Sequence, residues 1–210
     1  MQESTTRDIY DVQSRVYDKT FGRLVLRRID RAISHFNIRP TDRVLDMGIG
    51  TGNSLGYYRQ GGKITGIDLS GGMLKICKDK INEGGFSDVH VCQANALNLP
   101  FADDTFDHVF ISHVISVVSD PVRLVREAQR VAKPAARVVI LNHFQSTNRA
   151  LALLEKILCP LCTKLGWRSD LELADLIRRT GVEIDYRYKH NSIDFWETVV
   201  MTNNKSLLAM

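Results

Sequence analysis

The chain has few of the residues that support metal binding, disulfide bonding or membrane insertion. It contains four cysteines, and no apolar run approaches the ~20 residues that a membrane-spanning helix needs. Cys159 and Cys162 have the spacing of a redox pair. They stand in a leucine-rich segment and no second pair completes a zinc site, which favours a structural role. The six histidines show no paired ligand spacing, and no G-x-S-x-G motif occurs. We therefore expect neither a metal site nor a serine nucleophile.

Charge and composition set further bounds. The first residues, MQESTTRD, lack the apolar region of a signal peptide, so we expect a protein of the reducing cytoplasm. A hydrophobic content of 44% in 210 residues suits one α/β domain over the whole chain. The net charge of +4 is too small to indicate nucleic acid by itself. The basic excess lies at residues 1–39 and 144–169, outside the central motif described next.

The central motif is VLDMGIGTG, residues 44–52, followed by GIDLS at 66–70. Three glycines, Gly48, Gly50 and Gly52, permit a sharp turn after a buried strand and a close approach of backbone to a ligand. Asp68 ends the next strand pattern, where a carboxylate can accept both hydroxyls of a ribose. A nicotinamide or flavin site would need G-x-G-x-x-G, and Asn53 breaks that pattern.

This G-x-G-x-G pattern with its paired acid resembles the cofactor site of class I S-adenosylmethionine-dependent methyltransferases. The resemblance implies S-adenosyl-L-methionine as cofactor and Leu69 against its adenine. It also places Asn95 and Ala96 at the adenine amino group, where relatives usually have Asp-Ala. Asp46 can face the cationic methionine end of the cofactor, or it can cap the next turn. His113, after the fourth strand, can bind the cofactor or line the acceptor site, or it can be a structural hydrogen-bond donor.

Alternating patterns predict a doubly wound, Rossmann-like parallel sheet with a terminal antiparallel strand. Residues 1–40 form an N-terminal amphipathic helical region, with residues 4–36 helical, and residues 146–168 form a leucine-rich insertion. We expect turns around Ala135. The predicted strands are 43–47, 63–67, 88–92, 106–112, 136–142, 182–188 and 193–202, and the other predicted helices are 52–59, 70–82, 121–132 and 169–179.

The N-terminal region contains two tyrosine-aspartate pairs, Tyr10-Asp11 and Tyr17-Asp18. In several small-molecule methyltransferases such a pair in a leading helix covers the cofactor. By this resemblance we assign a helical lid to the region, with Tyr17 as its main residue and Tyr10 as the second. The tyrosines can also be core residues, since a spacing of seven puts them on one helix face.

Four longer strings resemble the bacterial phosphatidylethanolamine N-methyltransferases. They are YDVQSRVYDKTFG, HVISVVSDPVRLVREAQRVAKP, VVILNHF and LGWRSDLEL, which together reach along nearly the whole chain. In that family phosphatidylethanolamine is methylated stepwise to phosphatidylcholine. The resemblance implies a phospholipid substrate, with Tyr17, His113, Trp167 and Arg168 as acceptor-site residues. Tyr17 and Trp167 are candidates for an aromatic wall, and Arg168 would pair with the lipid phosphate. The alternative is that Trp167 is a packed core residue and Arg168 a surface residue without a role in the site.

Membrane contact follows from the same interpretation. Arg23, Arg27 and Arg31 repeat every four residues opposite an apolar face, which is typical of a solvated charge stripe or of a basic helix on anionic lipid. We expect residues 4–36 and 148–168 to bind an anionic membrane surface, so that the protein associates peripherally with the inner face of the membrane. Two rivals remain: a C-methyltransferase of a quinone precursor, and a non-catalytic cofactor-binding protein.

Overall fold

A seven-stranded sheet with helices packed on it forms the framework of the protein. The computed structural model describes residues 7–11, 23–58, 61–146, 148–164, 167–191 and 194–205. The strands are β1 (Arg43–Met47), β2 (Lys63–Asp68), β3 (Val89–Gln93), β4 (Phe106–Ser112), β5 (Ala132–His143), β6 (Tyr186–Lys189) and β7 (Trp196–Thr202). The helices are α1 (Arg23–Ile33), α2 (Gly71–Gly84), α3 (Pro121–Val131), α4 (Arg149–Lys164) and α5 (Leu173–Thr180), with a 3-10 turn at Leu55–Tyr57.

The strand order is β3-β2-β1-β4-β5-β7-β6. Strands β1 to β5 are parallel, and β7 runs antiparallel to both β5 and β6. The predicted doubly wound sheet with a terminal antiparallel strand is therefore confirmed. Because β1 lies between β2 and β4, the connections reverse direction beside it. Ligands of open parallel sheets bind at the carboxyl ends of strands at such a reversal.

Burial on both faces explains why the central strands read as continuous apolar runs. Val44, Leu45 and Met47 of β1 have no accessible surface. Phe106 and Phe110 of β4 are also completely buried. Helix α1 buries Val25, Ile29, Ala32 and Ile33 against one cluster of strand side chains, while α3 packs into another. Helix α3 begins as predicted, because the Asp120 carboxylate accepts the Arg123 N–H at 3.0 Å and Pro121 occupies the first turn.

Several predicted boundaries were wrong. The helix expected at 52–59 is a single 3-10 turn, because Ser54 and Tyr58 turn inward to the Asp46 carboxylate. Helix α5 begins at Leu173 instead of Ser169, since the Ser169 hydroxyl donates to the Glu155 carbonyl at 2.8 Å. Strand β5 begins at Ala132 instead of 136, and the turn expected near Ala135 lies inside it as an irregularity, where Ala135 has a φ of 62° and the pairing with β4 shifts register. The leucine-rich insertion is helix α4, with Pro160 inside it.

The N-terminal region is helical at residues 7–11 and in α1. Residues 12–22 lie outside the described part of the chain, so a continuous helix over 4–36 stays a prediction. Within the described residues, no helix is long and apolar enough to cross a membrane.

Candidate functional site

A cavity opens at the carboxyl ends of β1, β2, β3 and β4, at the reversal of strand order. It has about 770 Å³ of free space, part of it open to solvent. Seven of the predicted site residues lie in its wall: Gly48, Gly50, Asp68, Leu69, Asn95, Ala96 and His113. Its remaining lining is largely apolar, from Ile67, Met73, Val114, Val117 and Val118. The sheet therefore brings together residues that are up to 65 positions apart in the sequence.

The three glycines of the turn have different tasks. All three have positive φ, of 76°, 56° and 80°. A Cβ at Gly48 would lie 1.8 Å from a methyl carbon of Val114, and one at Gly52 would lie 2.9 Å from the Cys77 sulfur. A Cβ at Gly50 would meet only the Gly48 carbonyl oxygen, at 3.9 Å. Gly50 thus leaves open space toward the cavity, whereas Gly48 and Gly52 are required by packing, and Gly52 is not in the cavity wall.

Asp68 lies at the end of β2 with both carboxylate oxygens held by backbone. Oδ2 accepts the Gly50 N–H at 2.9 Å and Oδ1 accepts the Ser70 N–H at 2.8 Å. Burial raises the pKa of Asp68 above its ordinary range, and these hydrogen bonds oppose that rise. A carboxylate has about four acceptor sites in total, so Asp68 can accept further donors beside these backbone groups. The arrangement suits acceptance of two neighbouring hydroxyl groups such as those of a ribose.

Residues 7–11 cover the cavity next to Asp68. Arg7 and Tyr10 line it, and burial followed by the charge of Asp68 raises the pKa of Tyr10 well above its ordinary value. Asp11 attaches this segment to α2: its Oδ1 accepts the Gly72 N–H at 2.9 Å and the Ser70 hydroxyl. A carboxylate is favoured there by the helix N-terminus. Sequence reasoning gave Tyr10 a secondary role and missed Arg7, whose placement depends on this long-range cap.

Comparisons with known proteins agree with this geometry. The methyltransferase domain family model matches residues 45–140. The phosphatidylethanolamine N-methyltransferase of Cereibacter sphaeroides is 40% identical over 170 residues, covering 80% of this chain and 83% of the relative. The chain belongs to the S-adenosylmethionine-dependent methyltransferases. Their cofactor, S-adenosylmethionine, is the cofactor of this protein.

Another relative is named for a different acceptor from that of the Cereibacter sphaeroides enzyme. A demethylmenaquinone methyltransferase of Bacillus velezensis is 32% identical over 156 residues, covering 69% of this chain and 67% of the relative. In fold, the chain is similar to the geranyl diphosphate C-methyltransferase of Streptomyces coelicolor, with a TM-score of 0.72 at 14% identity over 86% of this chain and 80% of that one. The acceptor of this methyltransferase is therefore not decided by family membership.

The residues of the cavity fit S-adenosylmethionine. Gly50 leaves room for a ligand against the backbone, and Asp68 presents acceptors for its ribose. Asn95 lies in the wall, but its side-chain oxygen already accepts the Leu97 N–H at 2.9 Å. Because that oxygen has a second lone pair, the predicted adenine contact stays open.

Asp46 is placed differently from its predicted position. Its side chain is buried behind the glycine turn and is not in the cavity wall. Oδ2 accepts the Ser54 hydroxyl at 2.6 Å and the Tyr58 hydroxyl at 2.7 Å, while Oδ1 has no hydrogen-bond partner among the described residues. Burial raises the pKa of Asp46 to about 6, against the effect of both hydrogen bonds. Asp46 therefore braces the turn, which corresponds to the capping alternative.

His113 lines the cavity directly after β4 in an unusual conformation. Its φ is 58°, and its N–H donates to the Leu141 carbonyl at 2.8 Å, so β4–β5 pairing holds the strained residue. Burial, and then the charge of Arg28, lowers the pKa of His113 to about 3. The imidazole is therefore neutral at physiological pH and adds no positive charge beside a sulfonium.

Trp167 and Arg168 are outside the cavity wall. The Arg168 side chain pairs with Asp170 at 2.9 Å, and its N–H donates to the Ser116 carbonyl at 2.9 Å. The Trp167 ring packs edge-on against His143, with centroids 5.8 Å apart. Three of the strings that resemble the phospholipid enzymes thus meet near the ends of β4 and β5. Their predicted contacts with an acceptor stay predictions, and Tyr17 lies outside the described residues.

Proposed function

We propose that this methyltransferase transfers methyl groups to the amine of phosphatidylethanolamine at a membrane surface. The observation that carries the proposal is a set of four exposed large apolar side chains, which together we call the apolar surface: Leu151, Leu153 and Ile157, on two sides of α4, and Phe195, directly before β7. Their exposures are 52, 61, 66 and 67%. Exposed clusters of large apolar residues mark contacts with membranes or partners. The relative from Cereibacter sphaeroides supports a phospholipid as the acceptor.

The apolar surface is connected to the cavity by a short series of contacts. Phe195 precedes Trp196, whose ring meets that of His113 with centroids 6.0 Å apart. The Phe195 ring lies 6.2 Å from that of His143, and the His143 Nε2 lies 3.6 Å from the Glu155 carboxylate of α4. A lipid held at this surface would have its head group close to the His113 side of the cavity.

Helix α4 is shaped for contact with lipid. Leu153 and Ile157 are four residues apart and therefore point to the same side of the helix. Glu155 lies on the opposite side, where it accepts the Ser146 N–H at 2.8 Å. Inserting one large aliphatic side chain into an apolar phase contributes roughly 1.5–3 kcal/mol. Two such side chains alone give only weak attachment. The exposed Arg27 and Arg31 of α1 add the attraction to anionic lipids that binding also needs.

The cavity residues have defined tasks in this proposal. When bound, S-adenosylmethionine supplies a methyl group activated by its sulfonium. Asp68 binds the ribose, Gly50 lets the ligand approach the backbone, and residues 7–11 cover the site as a lid, with Tyr17 as a further lid residue. His113 stays neutral, so it does not repel the incoming ammonium, which must lose its proton before it can act as a nucleophile. Positioning in a site shielded from water then supplies most of the catalysis.

The decisive experiment offers labelled S-adenosylmethionine to the purified protein with two acceptors in separate vesicles. One vesicle contains phosphatidylethanolamine with anionic phospholipid, and the other contains demethylmenaquinone in the same background. We expect label in the mono-, di- and trimethylated phospholipids, with no effect of chelators. Label that appears only in the quinone would refute the proposed substrate and support the second candidate, a quinone C-methyltransferase, which the Bacillus velezensis relative favours.

Variants of the apolar surface test the membrane step separately. Leu153→Ser with Ile157→Ser should abolish flotation with vesicles and leave binding of S-adenosylhomocysteine unchanged, because both side chains are exposed and neither lines the cavity. The matched control is Cys92→Ser, an exposed residue on the edge strand β3, which should float like the wild type. Unchanged flotation of the double variant would contradict the assignment of α4.

A further inference from the structure

Four side chains form a continuous chain of contacts from α1 to the cavity wall. The Arg28 Nε donates to the Asp194 carboxylate at 2.8 Å, and the Arg28 guanidinium lies over the Trp196 ring at 4.7 Å from its centroid. The Trp196 ring then meets the His113 ring at 6.0 Å with an interplanar angle of 89°, an edge-to-face contact. Of these four residues, His113 is the one that lines the cavity.

The chain of contacts is anchored at its far end. The Asp194 side chain has 1% of its surface exposed, and the same carboxylate accepts the Trp196 N–H at 3.1 Å. Asp194 therefore fixes both the main chain of Trp196 and the side chain that stacks on its ring. In β7, Trp196 is paired with His143 of β5, so the indole extends from sheet and not from a free loop. A buried carboxylate with a planar guanidinium is a well-ordered support.

The geometry points to Arg28 and Trp196 as positioning residues for methyl transfer, holding the His113 ring in place at the cavity wall. His113 needs such support because its backbone is in the left-handed region, which a residue with a Cβ rarely adopts without external restraint. The Trp196 indole occupies one side of the His113 ring, and this contact favours the orientation in which the ring lines the cavity.

Charge gives Arg28 a second effect on the same ring. Of the charged side chains in the described part of the protein, Arg28 is the one whose field lowers the pKa of His113, in addition to burial. A neutral imidazole is compatible with a sulfonium cofactor and a cationic acceptor, whereas an imidazolium would repel both. The contacts thus fix the orientation of His113 and favour its uncharged form.

The test uses the full-length protein and two independent measurements. Methyl transfer is assayed with phosphatidylethanolamine in detergent micelles, so this arm rests on the proposed function. The titration of His113, followed by NMR with labelled histidine, needs no acceptor. Arg28→Met should lower kcat about tenfold, change the Kd of S-adenosylhomocysteine less than about twofold, and raise the pKa of His113. If wild-type protein leaves phosphatidylethanolamine unmethylated, the proposed function fails while the titration still tests the inference.

Variants that keep part of the contact separate positioning from charge. Trp196→Leu should reproduce the loss in kcat, and Trp196→Phe should retain most of the wild-type kcat. The double variant Arg28→Met with Trp196→Leu should have a kcat no lower than that of the less active single variant, since both residues act through one contact. Arg28→Lys retains the charge without the planar group, so it should lower kcat while the His113 titration stays as in wild type. These milder variants decide the question if Arg28→Met does not fold.

Arg187→Met is the matched control, because Arg187 forms a comparable ion pair with Glu197 between β6 and β7 at 3.4 Å. It should leave kcat and the His113 titration unchanged. The inference is overturned if Arg28→Met leaves both quantities at wild-type values, if the losses of the two single variants add, or if the control variant shows the same loss.

Discussion

Replacing Asp68 by alanine should weaken the binding of S-adenosylhomocysteine by about 2–4 kcal/mol, or about 30- to 700-fold in Kd. The magnitude follows from the acceptor capacity that the backbone hydrogen bonds of the carboxylate leave for the ribose. Two charge-assisted hydrogen bonds to ribose hydroxyls would contribute ~3–6 kcal/mol. Part of this is recovered in the variant, because the Gly50 and Ser70 N–H groups can then donate to the ligand or to water.

Titration calorimetry with two ligands isolates the ribose contact. S-adenosylhomocysteine is compared with its 2′,3′-dideoxy analogue, which lacks both hydroxyls. Wild-type protein should bind the analogue far more weakly, whereas Asp68→Ala should bind both ligands about equally. Asp79→Ala, an exposed acid on α2, is the control and should behave like wild type. A loss of less than twofold on Asp68→Ala, or equal losses for both ligands, would refute the assignment of Asp68 to the ribose.

Three further predictions concern stability and membrane binding. Ala135→Gly should raise Tm by roughly 1–3 °C because alanine is strained at a φ of 62°, while Ala136→Gly, at a buried position without positive φ, should lower it in calorimetry. The pKa of Asp46 is raised to about 6, so the contribution of Asp46 to stability should fall as pH rises from about 4 to 6, by up to ~3 kcal/mol. The difference in unfolding free energy between wild type and Asp46→Asn should therefore change over this range in urea titrations, and a difference that does not depend on pH would contradict the shift. Replacing Arg23, Arg27 and Arg31 together by glutamine should release the protein from anionic vesicles in low salt and leave cofactor binding intact. If the binding of wild-type protein to vesicles does not depend on salt, apolar insertion alone holds it there.

Features encoded by neighbouring residues were predictable from the sequence. The glycine turn and the start of α3 each depend on a few adjacent positions, and Asp68 stands at the end of the next strand pattern along the chain. The alternation of apolar runs likewise fixed the order of strands and helices and hence the edge of the sheet where the cavity lies. These features follow from local backbone geometry, which a short stretch of sequence specifies by itself.

Features that depend on distant partners could not be predicted. Asp46 is held behind the turn by Tyr58, so its position depends on a 3-10 turn in place of the expected helix. Asp11 reaches the α2 N-terminus across 59 positions to Ser70, which places Arg7 and Tyr10 at the cavity. Arg28 and Asp194 are 166 positions apart, and no local pattern marks them as partners. In each case the hydrogen-bond partner of a polar side chain is determined by the tertiary fold.

The same distinction explains why the cofactor was easier to infer than the acceptor. Asp68, Gly50 and their neighbours lie on the β1–β2 side of the cavity, where two consecutive strands define the site. The other side is lined by His113, with Trp196, Phe195 and α4 behind it, and these elements come from the second half of the chain. We expect a change of acceptor to involve chiefly this second group. Relatives that methylate a phospholipid or a quinone can therefore share the first side of the cavity, and the exposed apolar residues of the second side are where this chain's own specificity has to be tested.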